Sequence, residues 1–321
     1  MHYKRMGRTG IDVAALSFGT MTFGDGADKD MSAKLYARCR DAGVNLFDTA
    51  DVYANGESER ILGDLVKGHR DEIILATKAF YPTGDGPNCR GLSRRHLFKS
   101  IDASLTRLNT DRVDIYYLHA FDQRTPIEES LQALKDLQAQ GKLLYVGISN
   151  FAAWQAMKAI MAAERIGLSV HCLQPMYNLV KRQSESELLP MAQDQDLAVM
   201  PYGPLAGGVL TGKYLSGTPD DARLCKQAAY RDRYRDSWVG QATARFVEAA
   251  NEMGFHPASL AIAWVMSNPA ISSPLIGART LNQLQLALKA SKIEMTPEMR
   301  SRLSALTPAP ALATDRREEQ D

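Results

Sequence analysis

Asp48, Tyr53, Lys78 and His119 are residues of the kind that move protons, and they cluster at the ends of three short apolar runs. The runs are Val44-Asn45-Leu46-Phe47, Ile73-Ile74-Leu75-Ala76-Thr77 and Val113-Asp114-Ile115-Tyr116-Tyr117-Leu118, each with the composition of a buried strand. A phenol with an ordinary pKa of about 10 serves as a general acid near neutrality only beside a positive charge that favours its ionised form. Lys78 can supply that charge, Asp48 can hold the ammonium in place and ionised, and His119 can hydrogen-bond a substrate oxygen. Taken singly, each residue also has a structural use: a helix cap, a rim packing group, a snorkelling amine, a satisfied core histidine. Their joint position decides between the readings, because parallel α/β folds bind ligands at the carboxyl ends of their strands.

The elements that must position these groups follow from the apolar periodicity. Strands are expected over 14–18, 44–47, 73–77, 113–118, 143–148, 170–173, 197–200 and 271–276. Between them lie stretches with one apolar face, such as 93–108 with Leu97, Ile101, Leu105 and Leu108, and 126–140 with Ile127, Leu131, Leu134 and Leu137. Gly43 and Gly141 stand where a helix would stop and hand over to the next strand. Eight strands alternating with helices predict a closed (β/α)8 TIM barrel, although an open doubly wound sheet shows the same local alternation. The expected organisation is a single barrel domain over 1–307, with a long Gly-, Arg- and Tyr-rich connection over 203–236 after the seventh strand. A C-terminal helix and a polar, flexible tail over 308–321 follow.

Composition narrows the function. Of the 321 residues 45% are hydrophobic and 23% charged, enough for a large core, and the formal net charge of +1 gives no general field to attract a nucleic acid. The N-terminus lacks an apolar h-region and no apolar stretch approaches membrane-spanning length, so a soluble cytoplasmic protein with no membrane partner is expected. Cys39, Cys89, Cys172 and Cys225 stand far apart with no zinc spacing, which predicts reduced thiols and no metal.

With these residues in view, the chain resembles the aldo-keto reductase family from about residue 16 to residue 288. The family's Asp, Tyr, Lys and His tetrad matches Asp48 and Tyr53 in Asn45-Leu46-Phe47-Asp48-Thr49-Ala50-Asp51-Val52-Tyr53, Lys78 in Ala76-Thr77-Lys78, and His119 in Tyr116-Tyr117-Leu118-His119. Leu16-Ser17-Phe18-Gly19-Thr20-Met21 and Gly56-Glu57-Ser58-Glu59 are also similar to family segments. The resemblance implies NADPH-dependent reduction of aldehydes or ketones, with Tyr53 protonating the carbonyl oxygen, Lys78 and Asp48 tuning it, and His119 orienting the substrate.

No GxGxxG motif follows an early strand, so a Rossmann site has no support. Ser149, Asn150 and Gln174, at the ends of the fifth and sixth strands, carry groups able to bond a carboxamide, and family counterparts hold the nicotinamide amide. Tyr202 offers a flat face for the nicotinamide ring, as its family counterpart does. The turn Pro204-Leu205-Ala206-Gly207-Gly208 can present main-chain amides to a pyrophosphate, and Lys213 and Arg223 can meet cofactor phosphate. The stretch 207–214 nearly matches a Walker A loop, but Tyr214 replaces the required hydroxyl residue, and a nucleoside triphosphatase is rejected. Gly277 and Arg279 lead into the helix after the last strand, where a guanidinium suits a 2′-phosphate and so predicts NADP(H) over NAD(H). Gln283 matches a family residue near the adenosine, whereas the family's adenine-side asparagine is replaced by Ala287.

Met21, Phe23, Phe80, Tyr81, Phe121, Tyr230, Tyr234 and Trp238 are expected to line an apolar pocket for a small carbonyl substrate. Two other readings compete. Lys78 could instead form a Schiff base in a barrel lyase, or the chain could be a cofactor-binding, redox-sensing regulatory subunit with little turnover.

Overall fold

The apolar runs that precede the chemical groups fold as parallel strands of one closed barrel. A computed structural model of the chain describes residues 1–217 and 223–314. A short antiparallel hairpin, β1 (Tyr3–Arg5) and β2 (Asp12–Ala14), comes first. The barrel strands are β3 (Ser17–Gly19), β4 (Leu46–Asp48), β5 (Ile74–Ala79), β6 (Val113–Leu118), β7 (Leu143–Ser149), β8 (Val170–Gln174), β9 (Ala198–Val199) and β10 (Leu275–Ile276). They lie in chain order, with β10 returning beside β3, and every pair is parallel. A parallel bridge between Tyr202 and Leu275 and a 2.8 Å bond from Leu275 N to Pro201 O close the ring between the last two strands. The (β/α)8 architecture expected from the sequence is the observed one.

Helices separate the strands for local reasons. Ahead of β4 stands α1 (Lys29–Asp41), capped by the Asp28 carboxylate on Met31 N. After α2 (Glu57–Val66) comes α3 (Arg94–Leu108), which begins where the Ser93 hydroxyl accepts from His96 N. It ends at Asn109 in the left-handed region. Its Leu97, Ile101 and Leu108 are buried, each such side chain stabilising the packing by about 1.5–3 kcal/mol. The series continues through α4 (Ile127–Ala139), α5 (Ala153–Arg165) and α6 (Leu188–Asp194). The long connection holds α7 (Arg223–Lys226) and α8 (Ala228–Arg233), followed by α9 (Ser237–Glu252), α10 (Pro257–Met266), α11 (Leu281–Lys289) and α12 (Pro297–Ser304). Of the expected tail, 315–321 lie outside the described residues. No helix among the described residues is long and apolar enough to cross a membrane.

Several strand boundaries differ from expectation, three of them for a visible reason. Residues expected as one strand over 14–18 are split: Ala14 ends the hairpin, where its N–H is taken by the Asn45 side chain at 2.9 Å, and only Ser17 starts the barrel strand. The hairpin sends Met6 and Val13 into the inner core beside Leu46, Ile115 and Ala198. The seventh and eighth barrel strands are shorter than 197–200 and 271–276, because Val199 N donates to the Ser272 hydroxyl at 3.1 Å and interrupts the ladder there.

Candidate active site

Side chains alternate across a strand, so an inward residue near the base of the barrel is followed two positions later by another nearer its mouth. Leu46 leads to Asp48 in this way, Ala76 to Lys78, Tyr117 to His119 and Cys172 to Gln174. The ladder staggers them from strand to strand, pairing Asp48 with Ala76, Lys78 with Tyr117, and Ser149 with Gln174. Below this layer the Tyr117 ring fills the barrel. A Cβ on the neighbouring Gly147 would lie 2.3 Å from its Cε1, so the floor of the site depends on that glycine.

Lys78 is fully buried and Asp48 is 2% exposed. The ammonium bonds Asp48 Oδ1, donates to Thr49 O at 2.7 Å, and reaches the Tyr53 hydroxyl at 3.5 Å. Three donors thus meet three acceptors. The second Asp48 oxygen accepts from Gln174 Nε2 at 2.8 Å. Burial pushes the Asp48 carboxyl up and the Lys78 ammonium down from their ordinary values, and their mutual attraction opposes both shifts. Because the hydrogen bonds all suit the charged forms, we describe an ion pair.

Tyr53 opens a tight turn in which Ala54, Asn55 and Gly56 all take positive φ, at 47°, 54° and 87°. Such strain persists only when the surroundings hold it. Two buried residues of α2 do so: Ser58 donates to Thr20 O at 2.8 Å, and Glu59 accepts from Thr77 at 2.6 Å and pairs with Arg107 at 2.6 Å. Asp51, in the same segment, accepts from Ser100 at 2.6 Å, and burial raises its carboxyl to about 7. The Tyr53 ring meets that of His119 edge-on at 6.0 Å, and Tyr81 meets His119 at 4.9 Å. His119 is 8% exposed and its Nδ1 is buried without a protein partner among the described residues. Burial, then the Lys78 charge, hold its pKa well below 6.5, so the ring is neutral and offers one N–H donor.

The residues expected to hold a dinucleotide run along the same rim. Ser149 donates to Gln174 O at 2.8 Å, Asn150 Nδ2 donates to His119 O at 2.8 Å, and Tyr202 donates to Asn150 Oδ1 at 2.7 Å. Pro204, Leu205 and Gly207 form the next turn, where Gly207 and Gly208 take φ of 67° and 96°; the Lys213 side chain folds over Gly208. At the last strand end Gly277 is exposed, Arg279 N donates to Gln283 Oε1 at 2.9 Å, and Thr280 caps α11. Ala287 is buried in the core. The Arg223 side chain lies outside the described residues. Amides, one aromatic face and backbone in glycine conformations therefore line one edge, a donor set whose chemistry fits a dinucleotide.

Two residues expected at the substrate pocket are elsewhere. Phe23 is fully buried against Phe18 at 5.7 Å, and Tyr234 is 6% exposed with its hydroxyl 3.3 Å from Asn178 Nδ2. Their apolar bodies are recruited by the core, which sequence spacing in a loop does not reveal. Phe121 packs on Phe151 and Trp154. The sequence reading missed the Thr49 carbonyl and the Glu59–Arg107 pair; the nearness of Glu59 to the tetrad motif was the available signal.

The profile of the aldo/keto reductase family matches residues 15–307. Among curated relatives, a rice protein described as a probable voltage-gated potassium channel subunit beta is 40% identical over 95% of this chain and 96% of its own length. An uncharacterized oxidoreductase of Bacillus subtilis is 36% identical over 97% of each chain. The L-glyceraldehyde 3-phosphate reductase of Escherichia coli K12 is 34% identical over 90% of this chain and 87% of its own.

Proposed function

The chain belongs to the aldo/keto reductase family, and we propose that it is an NADPH-dependent oxidoreductase that reduces aldehydes or ketones to alcohols with Tyr53 as general acid. The observation that carries this reading is the unbroken chain from Gln174 through Asp48 and Lys78 to the Tyr53 hydroxyl. The oxidoreductase named in Bacillus subtilis and the reductase named in Escherichia coli support the same class.

NADPH, when bound, supplies the hydride that the carbonyl carbon receives. Ser149, Asn150 and Gln174 would hold its amide, Tyr202 its ring, Pro204, Leu205, Gly207, Lys213 and Arg223 its pyrophosphate, and Gly277, Arg279 and Gln283 its adenosine phosphate. Tyr53 gives its proton to the carbonyl oxygen. An N–H of Lys78 points at the phenolic oxygen, so the negative charge that develops there meets an ammonium 3.5 Å away. At an effective dielectric of about 20 that attraction is worth a few kcal/mol, partly offset by Asp48. Apo contacts of this length tighten as charge develops. Asp48, anchored by Gln174, keeps the ammonium charged in its dry site. The neutral His119 ring donates to the same carbonyl oxygen, and solvent reprotonates Tyr53 afterwards.

A Schiff-base lyase fits poorly, since an ammonium sealed at 0% exposure between three acceptors is not a free amine nucleophile. The rice relative described as a probable potassium channel subunit favours a second reading, a cofactor-binding subunit with little turnover. Following NADPH oxidation and alcohol formation with a reactive aromatic aldehyde separates the two. Stoichiometric alcohol supports the reductase; tight NADPH binding with neither product nor oxidation supports the subunit.

A further inference from the structure

The half-buried arginines of this chain almost all end on an oxygen. Arg40 meets Glu72, Arg70 meets Asp114, Arg107 meets Glu59, Arg182 meets Glu185, and Arg300 donates to Trp264 O. Arg233, at the end of α8, is different. Its guanidinium lies 4.8 Å over the Tyr230 ring, and among the described residues no carboxylate or carbonyl accepts from it. The nearest acid along the chain beyond it, Asp236, pairs with Lys181 instead.

Arg233 also faces the rim of the site. The Tyr230 ring beneath its guanidinium packs on the Gly207 turn of that rim, 2.9 Å from where a Cβ on Gly207 would lie. Burial pushes the nearby Tyr202 hydroxyl up to about 12, and the Arg233 charge opposes that shift. A planar fork stacked on an aromatic ring keeps its N–H edge in a fixed plane, the geometry that receives a carboxylate or phosphate in bidentate fashion. With a net charge of only +1 the chain has no broad positive field, so this cation is a local feature.

We propose that Arg233 is a specificity-determining residue that binds an anionic group, a carboxylate or phosphate, carried by the carbonyl substrate. The proposal rests on the reductase reading for its second ligand, the carbonyl, but the anion contact stands by itself. The substrate class is then a short or aromatic aldehyde with an acid at its far end, the aldehyde held at Tyr53 and His119 and the acid at Arg233.

The test compares benzaldehyde with 4-carboxybenzaldehyde, and glyceraldehyde with its 3-phosphate, as substrates of wild type, R233A and R233K, alongside NADPH affinity. Loss of a charge-assisted bidentate contact should lower the anionic-to-neutral ratio of kcat/KM about ten- to hundredfold in R233A, mainly through KM, with partial recovery in R233K. An unchanged ratio overturns the proposal. So does weakened NADPH binding with an unchanged ratio, which would assign Arg233 to the cofactor's phosphates. Calorimetric binding of 4-carboxybenzaldehyde needs no turnover and keeps the two claims apart. Affinity lost in R233A while no aldehyde is reduced retains the anion site and rejects the reductase; turnover without any anion preference does the reverse.

Discussion

Asp51 gives the strongest handle on how this fold responds to pH. The carboxyl is 3% exposed, accepts from Ser100 at 2.6 Å, and has its other oxygen buried without a partner. Burial raises it to about 7, with the Glu59 charge adding to the effect. An aspartate in the unfolded chain titrates near 3.9, so the folded state binds a proton that the unfolded state has released between about pH 4 and about pH 7. Stability from this group is therefore complete below the lower value and is lost as pH rises through the upper one. A gap of about three units corresponds to about 4 kcal/mol at alkaline pH as an upper limit. Asp51→Asn removes the titration while its Oδ1 can still accept from Ser100. The new amide N–H faces the buried, unpartnered position, which costs about 1–3 kcal/mol and is independent of pH. Relative to wild type, the variant should gain about 2–4 kcal/mol between about pH 4.5 and about pH 8 in urea unfolding. Parallel stability curves for the two proteins across that range would refute the account of Asp51.

Other outcomes follow from packing and charge. Gly147→Ala places a methyl 2.3 Å from the Tyr117 ring and 2.9 Å from Cys172 Sγ, and should lower the denaturant midpoint by the equivalent of about 1–3 kcal/mol or more. Glu59→Gln keeps an acceptor for Thr77 but strands Arg107, which is 19% exposed, so unfolding should show a loss of about 3 kcal/mol. Arg279→Ala should weaken NADPH binding by about ten- to hundredfold in calorimetry while leaving NADH affinity near its wild-type value.

Legibility in the sequence followed the range of the interaction. Asp48, Lys78 and His119 could be found because each follows a self-contained apolar run and period-two alternation fixes its face. The helix over 93–108 was equally local, with its Ser93 cap and stripe of leucines. Gln174, in contrast, bonds an aspartate 126 positions away, and no local pattern announces that partner. The first strand was misjudged because Ala14 to Phe18 reads as one apolar run, while the break at Ala14 is imposed by Asn45 from another element. Phe23 and Tyr234 were placed at the mouth on residue type alone, but aromatic rings in loops go wherever the core has room. The last two barrel strands were overextended because the bond from Val199 N to the Ser272 hydroxyl, a contact between two distant segments, replaces a ladder bond there.

The central claim is that the Tyr53 hydroxyl, held by Lys78, delivers the proton. Turnover of a neutral aromatic aldehyde with NADPH by wild type and Tyr53→Phe measures this, with cofactor affinity determined on both proteins. The account predicts a kcat lower by about two to four orders of magnitude and cofactor affinity close to wild type. A Tyr53→Phe protein that reduces the aldehyde at the wild-type rate would contradict it.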